Sequence, residues 1–386
     1  MKITGVRTRV YEYELSRALG DANSPGGRTR ACELALFIDT DQGLTGVSLG
    51  TFAARASIHA FESLLVGMDP RGVRTIWKRM VDRAFKGGNE GGVNDAIGAI
   101  DVALWDLKAK ANEEPLWQTL GAASPLVKAY ASGIDSPLSD EELYEFYAKS
   151  AKQGVSAGKL KVGLQRDEDI RRIGVMAEAL KTSGQPPQLM IDSNEYWSPK
   201  QAIRHIRAYE EQFDIVWVEE PARRWDYRGL KKVSDGVKAA VATGENLNDI
   251  GNFLPLIDHG AVDIVQVGIG TSGITGAMQV ADLAYAYELP VAMMNCAGNF
   301  MGHLAACLPN HMMMEVVDAG RDAVFTHETT IAAGWINMGT RPGTGIQFDE
   351  EALSSHEVDQ PSPGSGPSPW GRRPGAGLYE VPRSEE

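Results

Sequence analysis

The sequence predicts an α/β chain built around a barrel of parallel strands, with a smaller α+β module at the N-terminal end. Two patterns carry this. From residue 159 to 245, short apolar, β-branched runs recur and each leads to an acid: Leu189-Met190-Ile191 before Asp192, Ile215-Val216-Trp217-Val218 before Glu219, Val241-Ala242-Thr243 before Glu245. Such runs read as buried parallel strands. The acids lie 27 and 26 residues apart (219 − 192 and 245 − 219), room for one strand, one helix and the return, which is the βαβ repeat. Residues 1–50 instead alternate apolar and polar, as half-buried strands of a separate module do. A chain of 386 residues with 43% hydrophobic content holds both.

Taken in order, residues 3–13 read as a strand and 16–30, polar and containing Gly and Pro, as a loop. Residues 31–40 are a second strand, Asp41-Gln42-Gly43 a turn, and 44–48 a third strand. Residues 55–121 read as helices, with Ile97, Ile100, Ala103, Leu104 and Leu107 at helical spacing. Eight barrel strands follow near 127–132, 157–161, 188–192, 215–219, 239–243, 263–267, 290–294 and 311–315, separated by helical stretches. Residues 320–352 lead back to the N-terminal module, with residues 341–345 as a turn. From 353 to 386 Pro, Gly and Ser prevail, the composition of a flexible tail.

The net charge of −13 argues against nonspecific nucleic-acid binding. Three cysteines, Cys32, Cys296 and Cys307, are few and odd in number, as in a reducing compartment. The N-terminal residues lack a signal-like apolar core, and no apolar run approaches membrane-spanning length. These features predict a cytoplasmic protein that does not engage a membrane.

Carboxylates at the C-terminal ends of successive barrel strands converge on one mouth. Three oxygen ligands there, Asp192, Glu219 and Glu245, suit Mg²⁺. Lys159 and Lys161 are two apart on one strand and face the same side. Each disfavours protonation of the other, and a metal pushes the same way, which prepares a lysine to act as a base. Asn194 shares the face of Asp192 and is placed to touch the ligand or the substrate. Glu220 is one residue out of phase with Glu219 and is expected to point away, behind the ligands. Gly268-Ile269-Gly270-Thr271-Ser272-Gly273 matches a dinucleotide fingerprint, but Glu288 precedes a strand instead of ending one, so we read a tight strand-to-helix turn.

Lys159-Leu160-Lys161, Asp192-Ser193-Asn194, Glu219-Glu220-Pro221 and Gly244-Glu245-Asn246 resemble the successive strand-end motifs of the enolase superfamily, and within it the mandelate racemase/muconate lactonizing enzyme-like group. The resemblance covers roughly residues 1–350. It implies a modified TIM barrel, (β/α)7β, spanning residues 127–319, under an N-terminal capping domain of residues 1–126 completed by the C-terminal segment. It implies that Asp192, Glu219 and Glu245 bind one Mg²⁺, that Lys161 is the base, and that Lys159 and Glu315 contact a substrate carboxylate. It further implies a loop over the mouth that helps select substrate, where Arg17, Arg28 or Arg30 could meet a carboxylate, and a homo-oligomeric assembly.

The chain also departs from this group. Racemase-like relatives carry an Asp after the sixth strand and a His after the seventh. Here those positions fall on Val267 or Gly268 and on Met294. A lysine on the sixth strand, used by another branch, is missing too. Asn295 as a hydrogen-bond donor and Cys296 as a weak acid are the neighbours able to substitute. The expectation is therefore Mg²⁺-dependent removal of the proton α to a carboxylate, leading to dehydration of an acid sugar or other hydroxy acid to a 2-keto-3-deoxy acid. The alternatives are a racemase or epimerase, and a metal-binding homologue without turnover.

Overall fold

The computed structural model describes residues 1–364. Two strands, β1 (Ile3–Asp21) and β2 (Ser24–Thr40), form a long antiparallel hairpin, and β3 (Thr45–Gly50) completes a three-stranded sheet. Three helices cover it: α1 (Arg55–Leu65), α2 (Val73–Ala84) and α3 (Gly92–Ala111). The sheet approaches α3 so closely that a Cβ on Gly46 would stand 2.3 Å from the Ala103 carbonyl oxygen, which explains a glycine in mid-strand. Asp106 of α3 accepts the Val47 N–H at 2.9 Å and the Thr344 N–H at 2.7 Å, tying helix, sheet and C-terminal segment together.

After a short helix, α4 (Leu116–Thr119), the barrel begins. Its strands and helices alternate as β4 (Leu126–Ser132), α5 (Asp140–Lys152), β5 (Ala157–Lys161), α6 (Arg166–Lys181), β6 (Gln188–Asp192), α7 (Pro199–Glu210), β7 (Ile215–Glu219) and α8 (Tyr227–Gly236). They continue as β8 (Ala240–Thr243), α9 (Ile250–Asp258), β9 (Ile264–Val267), α10 (Gly273–Ala286), β10 (Val291–Met293), α11 (Gly302–Ala305) and β11 (His311–Val316). The helices start where capping chemistry puts them. Ser139 and Glu142 form a reciprocal capping box at α5, and Ser198 caps α7 ahead of Pro199. All eight strands are parallel, and β11 closes on β4 through Glu315↔Tyr130. Seven helices separate the eight strands, so the barrel is (β/α)7β, as the sequence predicts.

Strand alternation builds the barrel interior in layers. One buried cluster takes a single residue from each strand: Tyr130, Ala157, Met190, Trp217, Ala242, Ile264, Ala292 and Met313. Two residues further along each strand stands the next layer: Ser132, Lys159, Asp192, Glu219, Gly244, Gln266, Met294 and Glu315. An apolar ring thus floors a polar one.

Three sequence expectations are corrected. Residues 16–30 are not a loop: β1 and β2 run on to the turn at Ala22 and Asn23, with Leu19 paired to Arg28 and Asp21 to Ser24. Backbone hydrogen bonding carries the polar stretch, and docking on the barrel holds it: Gly20 N–H donates to the Ile134 carbonyl at 2.8 Å, and Asn23 Nδ2 to the Asn194 carbonyl at 2.9 Å. The return of residues 320–352 to the N-terminal module is interrupted. β12 (Phe325–Thr326) pairs with β15 (Gln347–Phe348), but the hairpin of β13 (Thr330–Ala332) and β14 (Trp335–Asn337) between them joins the barrel, antiparallel to β4. Edge backbone on β4 offers a closer partner than the distant sheet. Finally, the expected tail starting at residue 353 begins inside a helix, α12 (Glu350–His356), capped by Asp349, whose Glu350 together with Glu357 pairs with Arg9 of β1. Val358 N–H then donates to the Val10 carbonyl. Residues 365–386 of that tail lie outside the described residues. Among the described residues, no helix is long and apolar enough to cross a membrane.

Candidate active site

The polar layer gathers the sequence-predicted residues at one mouth. The strands deliver Lys159 and Lys161 from β5, Asp192 from β6, Glu219 from β7 and Glu315 from β11, all buried. Glu245 follows β8 and Asn194 follows β6; both line the same cavity of about 300 Å³ with Lys161, Asn295, Glu315 and the hairpin tip. Lys159 Nζ pairs with Glu219 and lies 2.9 Å from Glu315 and 3.3 Å from Asp192. Lys161 Nζ contacts Asp192 at 2.5 Å and the Asn194 side-chain oxygen at 2.8 Å. Asn194 N–H also donates to Asp192 at 2.8 Å, so it supports both groups.

The electrostatics are lopsided. Burial and the facing Asp192 and Glu245 charges hold the Glu219 carboxyl well above its usual range. Burial, then Asp192, pushes Glu245 the same way. Burial opposes ionisation of Asp192 and Glu315 as well, but there the lysines win, and each is held at about 2. The four carboxylates outnumber the two ammonium groups by two. Burial opposes the charge of both lysines, but Glu219 and Glu315 beside Lys159 and Asp192 beside Lys161 outweigh it and raise both, so the expected mutual lowering of the two lysines is not what these side chains show. As the side chains stand, no group of three or more His, Cys, Asp or Glu among the described residues is gathered into a ready-made cage, because the ammonium groups sit between the acids. The surplus charge and all-oxygen donor set fit a hard divalent cation, with Asp192, Glu219 and Glu245 the residues that would hold it.

Glu220 turns away from the interior on a left-handed backbone (φ 43°) and accepts from Asn246 Nδ2 at 2.7 Å. Asn295 donates to Glu315 at 2.5 Å. Cys296 does not line the cavity that holds Lys161. Its Sγ accepts the Met301 N–H at 3.3 Å, and burial pushes its thiol up to about 12, so it supplies no acid near neutrality. Strand phase also settles which residue of β9 faces inward. Ile264 and Gln266 point into the barrel, so the next inward position is Gly268, not Val267. A Cβ there would stand 3.2 Å from Met294 Cβ, and neither residue carries a proton-transferring group.

Of Arg17, Arg28 and Arg30, the three arginines expected near the mouth, only Arg28 lines the cavity. Arg17 bonds to the carbonyls of Gly133 and Asp318 and lies over the Phe146 ring, while Arg30 pairs with Glu14.

Other contributors escaped the sequence reading. Gln266 donates to Glu219 at 2.6 Å; its inward phase on β9 was legible, its partner was not. Asp135 accepts the Lys161 N–H at 3.1 Å, and the single proton of the Tyr147 hydroxyl is shared between Asp135, at 2.8 Å, and the Lys159 carbonyl, bracing both lysines. Arg321 donates to Asn295 at 2.5 Å and to Glu33 at 3.0 Å, joining the capping sheet to the site. No local pattern announces these long-range contacts. Another cavity, of about 490 Å³, opens elsewhere, between α5 and the segment after β11, and has none of the acids or lysines of the mouth on its wall.

A capped (β/α)7β barrel with lysines and carboxylates in one inward layer defines an enolase-type enzyme. The chain belongs to the enolase superfamily, in its mandelate racemase/muconate lactonizing enzyme branch: residues 142–352 match the enolase C-terminal domain-like family, and residues 24–121 match the mandelate racemase / muconate lactonizing enzyme N-terminal domain. It is 30% identical over 361 residues to a 3,6-anhydro-alpha-L-galactonate cycloisomerase of Streptomyces coelicolor, covering 91% of this chain and 98% of that one. It is also 30% identical over 367 residues to an L-talarate/galactarate dehydratase of Salmonella typhimurium, covering 91% and 90%. Among solved structures it is similar to an L-talarate dehydratase from Polaromonas complexed with Mg and L-glucarate, with a TM-score of 0.83, 28% identity, and 93% and 98% of the two chains covered.

Proposed function

We propose that this enzyme is a Mg²⁺-dependent dehydratase that removes the proton α to a carboxylate of a hydroxy acid and expels the β-hydroxide, giving a 2-keto-3-deoxy acid. The observation that carries this reading is one-sidedness: two lysines reach the mouth from β5, while the inward positions across the barrel are Gly268 and Met294. A divalent cation held by Asp192, Glu219 and Glu245 supplies neutralisation of the charge that develops on the substrate carboxylate. Lys161 Nζ takes the α proton and, for departure from the same face, returns it to the leaving hydroxide, so one group serves as both base and acid. Lys159 and Glu315 flank the carboxylate and fix its orientation, and Asn295 holds Glu315. Racemisation needs a second proton donor on the opposite face, and the inward residues there among those described, Gly268 and Met294, offer no such group, which supports elimination over racemisation.

The test is to incubate a library of hydroxy acids in D₂O with Mg²⁺ and follow α-proton exchange and keto-acid formation. The expected result is elimination, or exchange with retention, from one α configuration only, with both lost in Lys161→Ala. Two-way inversion at the α carbon without keto acid would replace this reading by racemisation.

A further inference from the structure

The catalytic cavity adjoins a second one of about 460 Å³ under the capping sheet, walled largely by apolar residues such as Leu49, Phe52, Ile269 and Phe300. The two share only Arg28 and Asn295. Arg28 therefore stands at the end of the catalytic cavity that leads to this chamber. Its guanidinium makes no hydrogen bond or ion pair with any described residue. Apart from Lys161, Glu245 and Glu315 of the catalytic mouth, the charged groups on the two cavity walls are already engaged: Arg321 with Glu33 and Asn295, Glu33 also with the Tyr11 hydroxyl, Asp95 with Thr51, and Asp21 with the backbone N–H groups of Asn23 and Ser24. One half-buried guanidinium is left over. Burial, then the like charge of Arg321, act against its charged form and outweigh the support of Tyr13 and Glu33, so an anion in contact with it relieves a cost. The surplus is a single positive charge on a planar fork, which matches one carboxylate better than a phosphate dianion.

We infer that the substrate carries a second carboxylate, that Arg28 receives it, and that the preferred substrates are hydroxy diacids lying between Lys161 and the hairpin. This deepens the dehydratase reading and rests on it. The remaining lining of the catalytic cavity, Asn23, Ser24, Asn194 and Asn295, offers donors and acceptors for hydroxyls along the chain between the two acids.

The decisive probes are a six-carbon hydroxy diacid and its far-end monoamide of the same configuration, which differ in charge but barely in size. Their kcat/KM for α-proton exchange is compared in the wild type, in Arg28→Gln, and in Arg28→Ala with and without added guanidinium ion. The wild type is expected to prefer the diacid by about 10- to 100-fold, the loss that follows removal of one charge-assisted contact. That ratio should fall towards unity in Arg28→Gln, and guanidinium should restore diacid turnover to Arg28→Ala. A wild type indifferent to the amide, a ratio that survives Arg28→Gln, or equal loss on both probes would overturn the inference. Exchange from a monocarboxylic acid but from neither probe would overturn it and leave the dehydratase reading standing. Exchange from no acid at all would remove both.

Discussion

At the residue scale, the mouth is a problem of charge balance. Three buried carboxylates and the half-buried Glu245 share two ammonium groups, and Asp192 is pulled hardest, because it faces both Lys159 and Lys161. Asp192 is also one of the three acids that would hold the cation, so it couples metal binding to the base. Asp192→Asn keeps the shape but removes one negative charge from the donor set. Calorimetric titration should show Mg²⁺ affinity reduced at least about tenfold, roughly 1.4 kcal/mol, with exchange activity falling alongside. Unchanged affinity would remove Asp192 from the proposed ligand set. Gln266 contributes differently: as a neutral donor to Glu219, it stabilises an ionised carboxylate without adding to the cation count.

At the scale of elements, the hairpin of β1 and β2 matters most. Its tip closes over the mouth through Gly20 N–H to Ile134 and Asn23 to Asn194. Gly27 lies at φ 69°, and a Cβ there would sit 2.6 Å from the Leu19 carbonyl oxygen. Gly27→Ala therefore strains the strand immediately before Arg28, by about 1 kcal/mol or more. The expected result is a higher KM and faster proteolysis between residues 16 and 30, with the barrel's far-UV circular dichroism unchanged. A variant with wild-type KM and wild-type protease resistance would show that the tip plays no part in holding substrate. On the proposed reading, β9 and β10 would limit the stereochemistry by what they omit, since the inward positions Gly268 and Met294 carry no group that returns a proton.

For the whole molecule, three imidazoles are kept neutral by burial. His205, His303 and His311 are each lowered to about 4 from an ordinary 6.5, burial being the largest cause. His303 is the best anchored: its Nδ1 accepts the Trp117 N–H at 3.1 Å, and its Nε2 donates to the Thr344 carbonyl at 3.1 Å, joining α4, α11 and the C-terminal segment. Because the folded values lie below the unfolded one, the unfolded chain binds more protons between pH 6.5 and 4. Stability from these groups is complete above about 6.5 and is lost as pH falls towards 4. At pH 5 a buried imidazole of this kind costs roughly 2 kcal/mol. Calorimetric melting should occur several degrees lower at pH 5 than at pH 7.5, and His303→Gln should narrow the gap. Equal melting temperatures at both pH values would contradict buried neutral histidines.

The sequence by itself determined what local alternation and strand-end chemistry can encode. Each apolar run marks a barrel strand, and the acid at its end must lie one layer above the apolar ring, because side chains alternate with a period of two. Asp192, Glu219, Lys159 and Glu315 were legible for that reason, and Lys161 as the next inward position on its strand; the missing imidazole was legible only against the resemblance to the mandelate racemase-like group. Tertiary structure alone decided matters of long-range pairing. It turned residues 16–30 into a hairpin by docking polar backbone on the barrel, and it diverted residues 330–337 onto β4. It aimed Arg28 inward while Arg17 and Arg30 found partners elsewhere, and it withdrew Cys296 from the catalytic cavity. It also placed Asp135, Tyr147 and Arg321 behind the site. Most of these do not follow from neighbours in the chain, because they depend on groups more than ten residues away whose position only the closed barrel and its cap define.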